Sequence, residues 1–349
     1  MSAPKDPLAF DFALRFESAP SRIIGERDER LTNAKRVVKY HHTFLDELTR
    51  GVFPHDMPII AAETGAGKTD LGTAIAKGNA KQNKHVFYFA LEAEPKEIER
   101  RIKYALLVEL ALQAGDPRAS DLNYPDWYAG KCEDICETHD QAANQLMLER
   151  VAALHTYYKG SKFTHEHLQR LLLAIQSQAD LIILDHLHYI DTDDDNENRG
   201  LREIVKVVRD TALSIGKPVV MFAHLRKRDQ RANRIIPHTE DIHGSSDVVK
   251  QATQVIMVAP AHCIKSPKWY LAPTFVAVTK DRRGGATGLV ALCWYDRRYR
   301  TYAAHYTLGR MIKGCTDWEP IPQGDVPRWA TSNRAESSAV AAPTKGPSL

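Results

Sequence analysis

Glu63-Thr64-Gly65-Ala66-Gly67-Lys68-Thr69 sets a lysine and a hydroxyl directly behind two glycines, and the stretch follows the apolar run 59–62. Glycines in such a turn let backbone N–H groups face an anion at the start of the next helix, and the lysine adds positive charge. Thr64, Gly65, Ala66, Gly67, Lys68 and Thr69 are therefore the expected cradle for the phosphates of ATP or another NTP. Lys68 would reach the β and γ phosphates, and the Thr69 hydroxyl would ligate Mg2+. The pattern is G-x-x-x-x-G-K-T with Ala62 where the first glycine belongs. A second apolar run, 181–184, ends on Asp185. A carboxylate there lies where α/β sheets bind ligands, so Asp185 is expected to hold the ion, directly or through water. Glu92 closes a third run, 86–91, and is the candidate to orient or deprotonate the attacking water; Glu94 and Glu97 lie further out. His224 closes a fourth run and is placed to hydrogen-bond toward the γ-phosphate. His186 and His188, just after Asp185, suit either phosphate sensing or local packing.

These side chains need strands that end side by side. Short β-rich runs occur at 59–62, 86–91, 181–184, 219–223, 255–259, 275–279 and 289–295. Helical patterns separate most of the earlier ones; one has apolar residues at 201, 204, 205, 208, 212 and 215 and is ended by Gly216-Lys217-Pro218. Continuous apolar strands alternating with helices predict a mostly parallel sheet covered on both faces, the α/β class. The glycine- and arginine-rich segment 280–288 predicts a hairpin on one edge. Residues 95–178 show no strand signal and are expected to form a helical insertion, with helices at 97–113 and 140–157. The predicted organisation is an N-terminal arm (1–42, with a short helix at 34–40), an ATPase core (43–319) and a disordered tail rich in Pro, Ser and Ala (320–349).

Composition removes other classes. With 349 residues there is material for a large core, and 43% hydrophobic with 26% charged residues is globular rather than disordered. No run approaches the roughly 18 apolar residues of a membrane span, and the acid-interleaved start is not expected to act as a signal peptide. A net charge of +3 points to no nucleic acid in bulk, so any such contact must be local. Two basic patches qualify: Arg226-Lys227-Arg228 with Arg231 and Arg234, and Lys280 with Arg282-Arg283. Arg226 and Lys227 suit sequence-independent contacts to a phosphate backbone. The one cysteine cluster, Cys132, Cys136 and His139, invites zinc, but closed structural sites use two spaced ligand pairs, and free thiols on a helix are the expectation.

Taken in order, the motifs resemble the RecA-like motor domain of ring-shaped replicative helicases of the DnaB type, with phage-type members nearest in flavour. Residues 43–51 resemble the family's lead-in to the first core strand, and alanine for the first glycine of the loop is a family variant. Ala90-Leu91-Glu92 resembles the strand carrying the catalytic glutamate, and 184–188 the magnesium-site strand. His224 stands where bacterial members usually carry glutamine and several phage and mitochondrial relatives carry histidine. Gly244 and Ser245 resemble the central-channel loop that touches the DNA backbone. Residues 280–288 resemble the segment that reaches the neighbour's ATP. Lys280 and Arg282 alternate in the sequence, so both can face one way. The resemblance covers 43–305 and implies a RecA-like P-loop NTPase core and an NTP-driven translocase or helicase on single-stranded DNA. It further implies a ring-shaped homo-oligomer, a hexamer by expectation, in bacterial or phage-infected cytoplasm. The insertion is the expected surface for a replication protein partner. Recombination, signalling or remodelling ATPases without strand separation share much of this core and stand as the alternative.

Overall fold

The computed structural model describes residues 18–63, 65–192, 197–225, 234–242, 245–285, 287–312 and 316–331. The chain divides into two units, 1–37 and 38–349. The first contains α1 (Ala19–Ile23) and α2 (Glu26–Lys35), neither with a buried residue. Glu26, Asp28 and Glu29 sit in the first turn of α2, where acidic groups suit the positive end of the helix. The helix expected at 34–40 is not formed: α2 stops at Lys35, and Val38 pairs with Val52 in an antiparallel bridge. Val38 and Tyr40 are fully buried, so core packing begins before residue 43.

The second unit runs α3 (Thr43–Thr49), β1 (Pro58–Ala62), α4 (Lys68–Ala80), β2 (Val86–Ala90), α5 (Glu97–Gln113), α6 (Tyr124–Tyr128), α7 (Glu133–Arg150), β3 (Leu154–Tyr158), α8 (His165–Ile175) and β4 (Leu181–Asp185). It continues through α9 (Glu197–Ile215), β5 (Val219–His224), α10 (Ser245–Gln251), β6 (Gln254–Pro260), β7 (Leu271–Asp281), β8 (Leu289–Asp296), β9 (Thr301–Ile312) and β10 (Asp317–Pro320). All ten strands form one sheet in the order β10-β9-β8-β7-β6-β1-β5-β4-β2-β3. The half from β3 to β6 is parallel and the half from β6 to β10 is antiparallel. Side chains alternate across it. Ile60, Tyr88, Ile183 and Phe222 join Phe44, Leu71, Ile75 and Ile102 on one face, while Ile59, Phe89, Ile182 and Met221 join Leu168, Leu172, Ile204 and Val208 on the other. Two buried faces are why these strands read as unbroken apolar runs.

Register decides where the strands end. Ala62 is level with His224 and with Val258, and Ala90 is level with Asp185. The parallel strands therefore deliver the phosphate-loop segment, Glu92, Asp185 and His224 to one edge of the sheet.

Three further sequence expectations are corrected. The insertion is not wholly helical: the helix expected at 140–157 ends at Arg150, and β3 follows as an edge strand beside β2. Its alternating exposure puts His155 and Tyr157 outside and removes the apolar run that would have revealed it. The hairpin of β7 and β8 is interior, because β9 and β10 extend the sheet beyond it. Finally, packed chain continues past 320 to at least 331. Ile321, Val326 and Ala330 are buried and Trp329 packs 6.4 Å from the Phe44 ring, so apolar contacts hold a segment whose composition suggests a tail.

His42, just ahead of α3, is buried with neither ring nitrogen hydrogen-bonded, and burial pushes its pKa from 6.5 to about 4. As pH falls below 6.5 the unfolded chain binds a proton here that the folded chain refuses until about 4. Stability should decline across that window, by about 2–3 kcal/mol from this ring. Urea midpoints at about pH 7 and about pH 4.5 test this. His42→Phe should flatten the decline; an unchanged pH dependence in that variant would assign the loss to other groups.

Candidate nucleotide site

β1 ends at Ala62, and the turn to α4 is held where Glu63 N–H donates to Val258 O (3.2 Å) and Ala66 N–H to Glu63 O (3.2 Å). Gly65 and Gly67 have φ of +82° and +76°, the left-handed region that glycine enters without strain. At Gly67 a Cβ would also stand 3.0 Å from the Tyr295 ring. Thr64 lies outside the described residues.

Lys68 opens α4 and carries its amine into the sheet edge, 3.6 Å from Asp185 Oδ1 and 3.7 Å from Glu92 Oε2, with no hydrogen bond. Asp185 is buried at the end of β4. Its Oδ2 accepts from the Tyr88 hydroxyl (2.8 Å), the Thr69 side chain also bonds it, and Oδ1 has no hydrogen-bond partner. Burial raises the Asp185 pKa, while Lys68 and the Tyr88 bond oppose the rise. A buried amine and a buried carboxylate oxygen, both short of partners, fit a phosphate and a divalent cation, which would supply those partners.

Glu92 lies just beyond β2 and stays 44% exposed on its side chain, open to the pocket. The Tyr189 side chain bonds it, His186 Nε2 lies 2.9 Å away and His224 Nε2 3.8 Å. Burial first, then the Lys68 charge, lowers the pKa of both His186 and His224, which favours the neutral ring at each. His188 instead accepts the His224 backbone N–H at Nδ1 (3.5 Å), tying the end of β5 to the turn after β4.

The pocket at this edge measures about 460 Å³, and Lys68, Thr69, Glu92 and His224 line it together with residues the motif does not contain. Asp70 is the chief of these. Its buried carboxylate takes Arg101 from α5 (2.8 Å), Arg300 from the β8–β9 turn (2.9 Å) and the Tyr295 hydroxyl. The Arg300 guanidinium lies 4.6 Å from the centroid of Tyr124 on α6. In the sequence Asp70 reads as one more acid in a helix's first turn. Its arginines are 31 and 230 residues away, so no local signal announces them. Asp70→Ala would leave two partly buried guanidinium groups competing for Glu97 and solvent. It should destabilise the fold by about 3–5 kcal/mol in denaturant unfolding. A loss below about 1 kcal/mol would show that the arginines re-pair freely.

Lys280 and Arg282 are not brought to this edge. Lys280 is level with Val255 at the opposite end of β6, and its amine donates to Val249 O (2.6 Å) and Lys250 O (3.1 Å). Arg282 also donates to Lys250 O (3.0 Å), so both side chains lie at the C-terminal end of α10. Neither can serve the phosphate loop of its own chain. Arg226, Lys227 and Gly244 fall outside the described residues; Ser245 opens α10, its side chain likewise outside.

The insertion is tied to the same region. α5 turns Ile98, Ile102 and Leu106 to the sheet, and Tyr104, Leu107 and Ala111 to a separate cluster with Ala119, Leu122, Ile135 and Ala143. The Tyr104 hydroxyl donates to Arg298 O (2.7 Å) and that of Tyr299 to Ala119 O (2.9 Å), which bind the insertion to the β8–β9 turn. Cys132 and Cys136 are free thiols, and His139 Nε2 is engaged with Asp116 (2.9 Å). Among the described residues they form no three-ligand group, and no helix is long and apolar enough to cross a membrane.

A mixed, mostly parallel sheet with helices on both faces and a lysine-bearing loop after its first core strand defines a RecA-like P-loop NTPase core. The chain matches the DnaB-like helicase C terminal domain over residues 38–303 and belongs to that family. It is 24% identical over 251 residues to the replicative DNA helicase DnaB of Leifsonia xyli subsp. xyli (strain CTCB07), covering 69% of this chain and 50% of that protein. It is 25% identical over 214 residues to the replicative DNA helicase DnaC of Bacillus subtilis (strain 168), covering 60% and 44%. The chain thus spans about half the length of these relatives. Among solved structures, a DnaB-like replicative helicase, described with its interactions with primase, superposes with a TM-score of 0.63 at 16% identity, covering 82% of this chain and 67% of that one. A second structure, an ATPase domain, gives 0.65 at 15%, covering 82% and 99%. At these identities the structural likeness establishes the fold.

Proposed function

We propose that this domain is an NTP-driven translocase or helicase motor on single-stranded DNA, hydrolysing ATP with Mg2+ at the subunit interfaces of a ring-shaped homo-oligomer, a hexamer. The supporting observation is the meeting of Lys68, Asp185, Glu92 and His224 at one sheet edge, with the Lys68 amine and Asp185 Oδ1 buried and lacking hydrogen bonds. Lys68 and the backbone of 64–69 hold the phosphates, and Thr69 with Asp185 would hold Mg2+. That ion supplies charge that offsets what builds on the transferred phosphoryl group. Glu92, hydrogen-bonded by Tyr189, orients the attacking water and accepts its proton. His224 hydrogen-bonds toward the γ-phosphate and passes its state to the basic segment that follows.

A phosphate loop alone has too few positive groups to neutralise the transition state, a task that motor ATPases commonly give to an arginine from outside the site. Lys280 and Arg282, remote from their own loop, fill that role for the neighbouring subunit. Arg226, Lys227, Gly244 and Ser245 contact the DNA backbone in the channel, and 95–178 offers a surface to a replication protein in bacterial or phage-infected cytoplasm.

The test is subunit mixing. Lys68→Ala and Arg282→Ala proteins, each inactive alone, should regain some ATPase when combined, because a mixed interface pairs an intact loop with an intact finger. If the two co-assemble and nothing returns, the assignment of Arg282 in trans is wrong. Mass measurement with nucleotide and single-stranded DNA, alongside strand displacement, separates the remaining readings. A ring that turns over ATP without displacing a strand would favour a remodelling or signalling ATPase.

A further inference from the structure

Three neighbouring strand ends contribute a second cluster next to the phosphate loop. Glu92 after β2, His186 after β4 and His224 closing β5 each bring a ligand atom to within 4.8 Å of the other two. His186 is fully buried, yet neither of its ring nitrogens has a hydrogen-bond partner. Its Nε2 approaches Glu92 Oε2 to 2.9 Å without hydrogen-bond alignment. Buried polar groups ordinarily find partners, and close approach without alignment is how two ligands stand around a shared ion. Glu92 and His224 are the more exposed members, at 44% and 38%, so a fourth coordination position would open into the nucleotide pocket.

Two imidazoles and one carboxylate with an open position are the donor set of a zinc-type site, whereas Mg2+ takes oxygen ligands in octahedral geometry. We propose that Glu92, His186 and His224 bind a divalent ion of the Zn2+ type, at a place distinct from the Thr69–Asp185 position, and that the ion arrests turnover by occupying the Glu92 carboxylate. Binding stands on the geometry alone; the arrest rests on the role proposed above for Glu92. Lys68, whose amine is 3.7 Å from Glu92 Oε2, is a like charge beside the ion and weakens its binding. Lys68→Ala should therefore tighten this site while abolishing nucleotide turnover, opposite signs from one substitution.

The nucleotide-free full chain would be titrated with Zn2+ against a chromophoric chelator, and with Co2+ for its visible spectrum. The expected result is one equivalent bound, with Co2+ bands of nitrogen and oxygen ligation and no thiolate charge-transfer band. Glu92→Gln and His224→Ala, both at partly exposed positions, should each weaken binding at least about tenfold, and Lys68→Ala should strengthen it. Wild-type binding no tighter than that of Glu92→Gln would overturn the site. So would a thiolate band that disappears in the Cys132→Ser, Cys136→Ser double variant. Zn2+ should then stop Mg2+-dependent ATP turnover, and a chelator should restore it. Binding with the expected variant pattern but undiminished turnover would uphold the site and overturn the role given to Glu92.

Discussion

Lys68→Ala protein should turn over ATP at least about 10²–10³-fold more slowly than the unsubstituted chain, the loss typical of removing one preorganised donor from a developing anion. The amine stands buried between Asp185 and Glu92 without a hydrogen bond, so its N–H donors are available when phosphate arrives. Removing it also leaves Asp185 without its nearest positive charge, on a carboxylate whose burial already disfavours ionisation. The fold should survive, because the rest of α4 is anchored through Leu71, Ile75 and Ala76 in the core. Circular dichroism and a thermal melt would confirm that, and steady-state turnover with single-stranded DNA present gives the measurement. Undiminished turnover would place phosphate binding elsewhere.

Glu92→Gln should behave differently. Its side chain is half exposed and only borders the pocket, so nucleotide affinity should change little. A group that takes a proton in the transition state contributes about 10²–10⁴-fold, and kcat should fall by that factor. Retained binding with lost turnover is the signature of a group acting in the transition state rather than the ground state. Fluorescent-nucleotide titration beside single-turnover hydrolysis separates the two quantities. An equal loss of affinity would make Glu92 a structural partner of His186 and Tyr189 instead.

Much of this site was legible along the chain because its chemistry is local. The loop from Glu63 to Thr69 carries its glycines, lysine and hydroxyl within one turn, and Glu92, Asp185 and His224 each end an apolar run long enough to read as a buried strand. Strand ends in a parallel sheet converge, so three sequence positions imply one place in space. Where burial is one-sided the signal fails: β3 alternates half-buried and exposed residues, and His155 and Tyr157 hide it among polar neighbours. Packing against a distant element is equally silent. Ile321, Val326 and Ala330 sit in a stretch of prolines and polar residues, and only the apolar surface waiting around Phe44 makes them core.

The tertiary structure alone decided the charge arrangement around the motif. Asp70 becomes the anchor of the pocket wall because α5 and the β8–β9 turn deliver Arg101 and Arg300 to it, contacts spanning 31 and 230 residues. His186, whose residue type suited packing or sensing equally, meets Glu92 because the turn after β4 directs it toward β2. Lys280 and Arg282 are separated from their own phosphate loop because β7 runs antiparallel to β6, carrying its end to the far side of the sheet. Residue type and spacing specify what a side chain can do. Strand direction and register, set by burial of the whole sheet, determine which side chains meet.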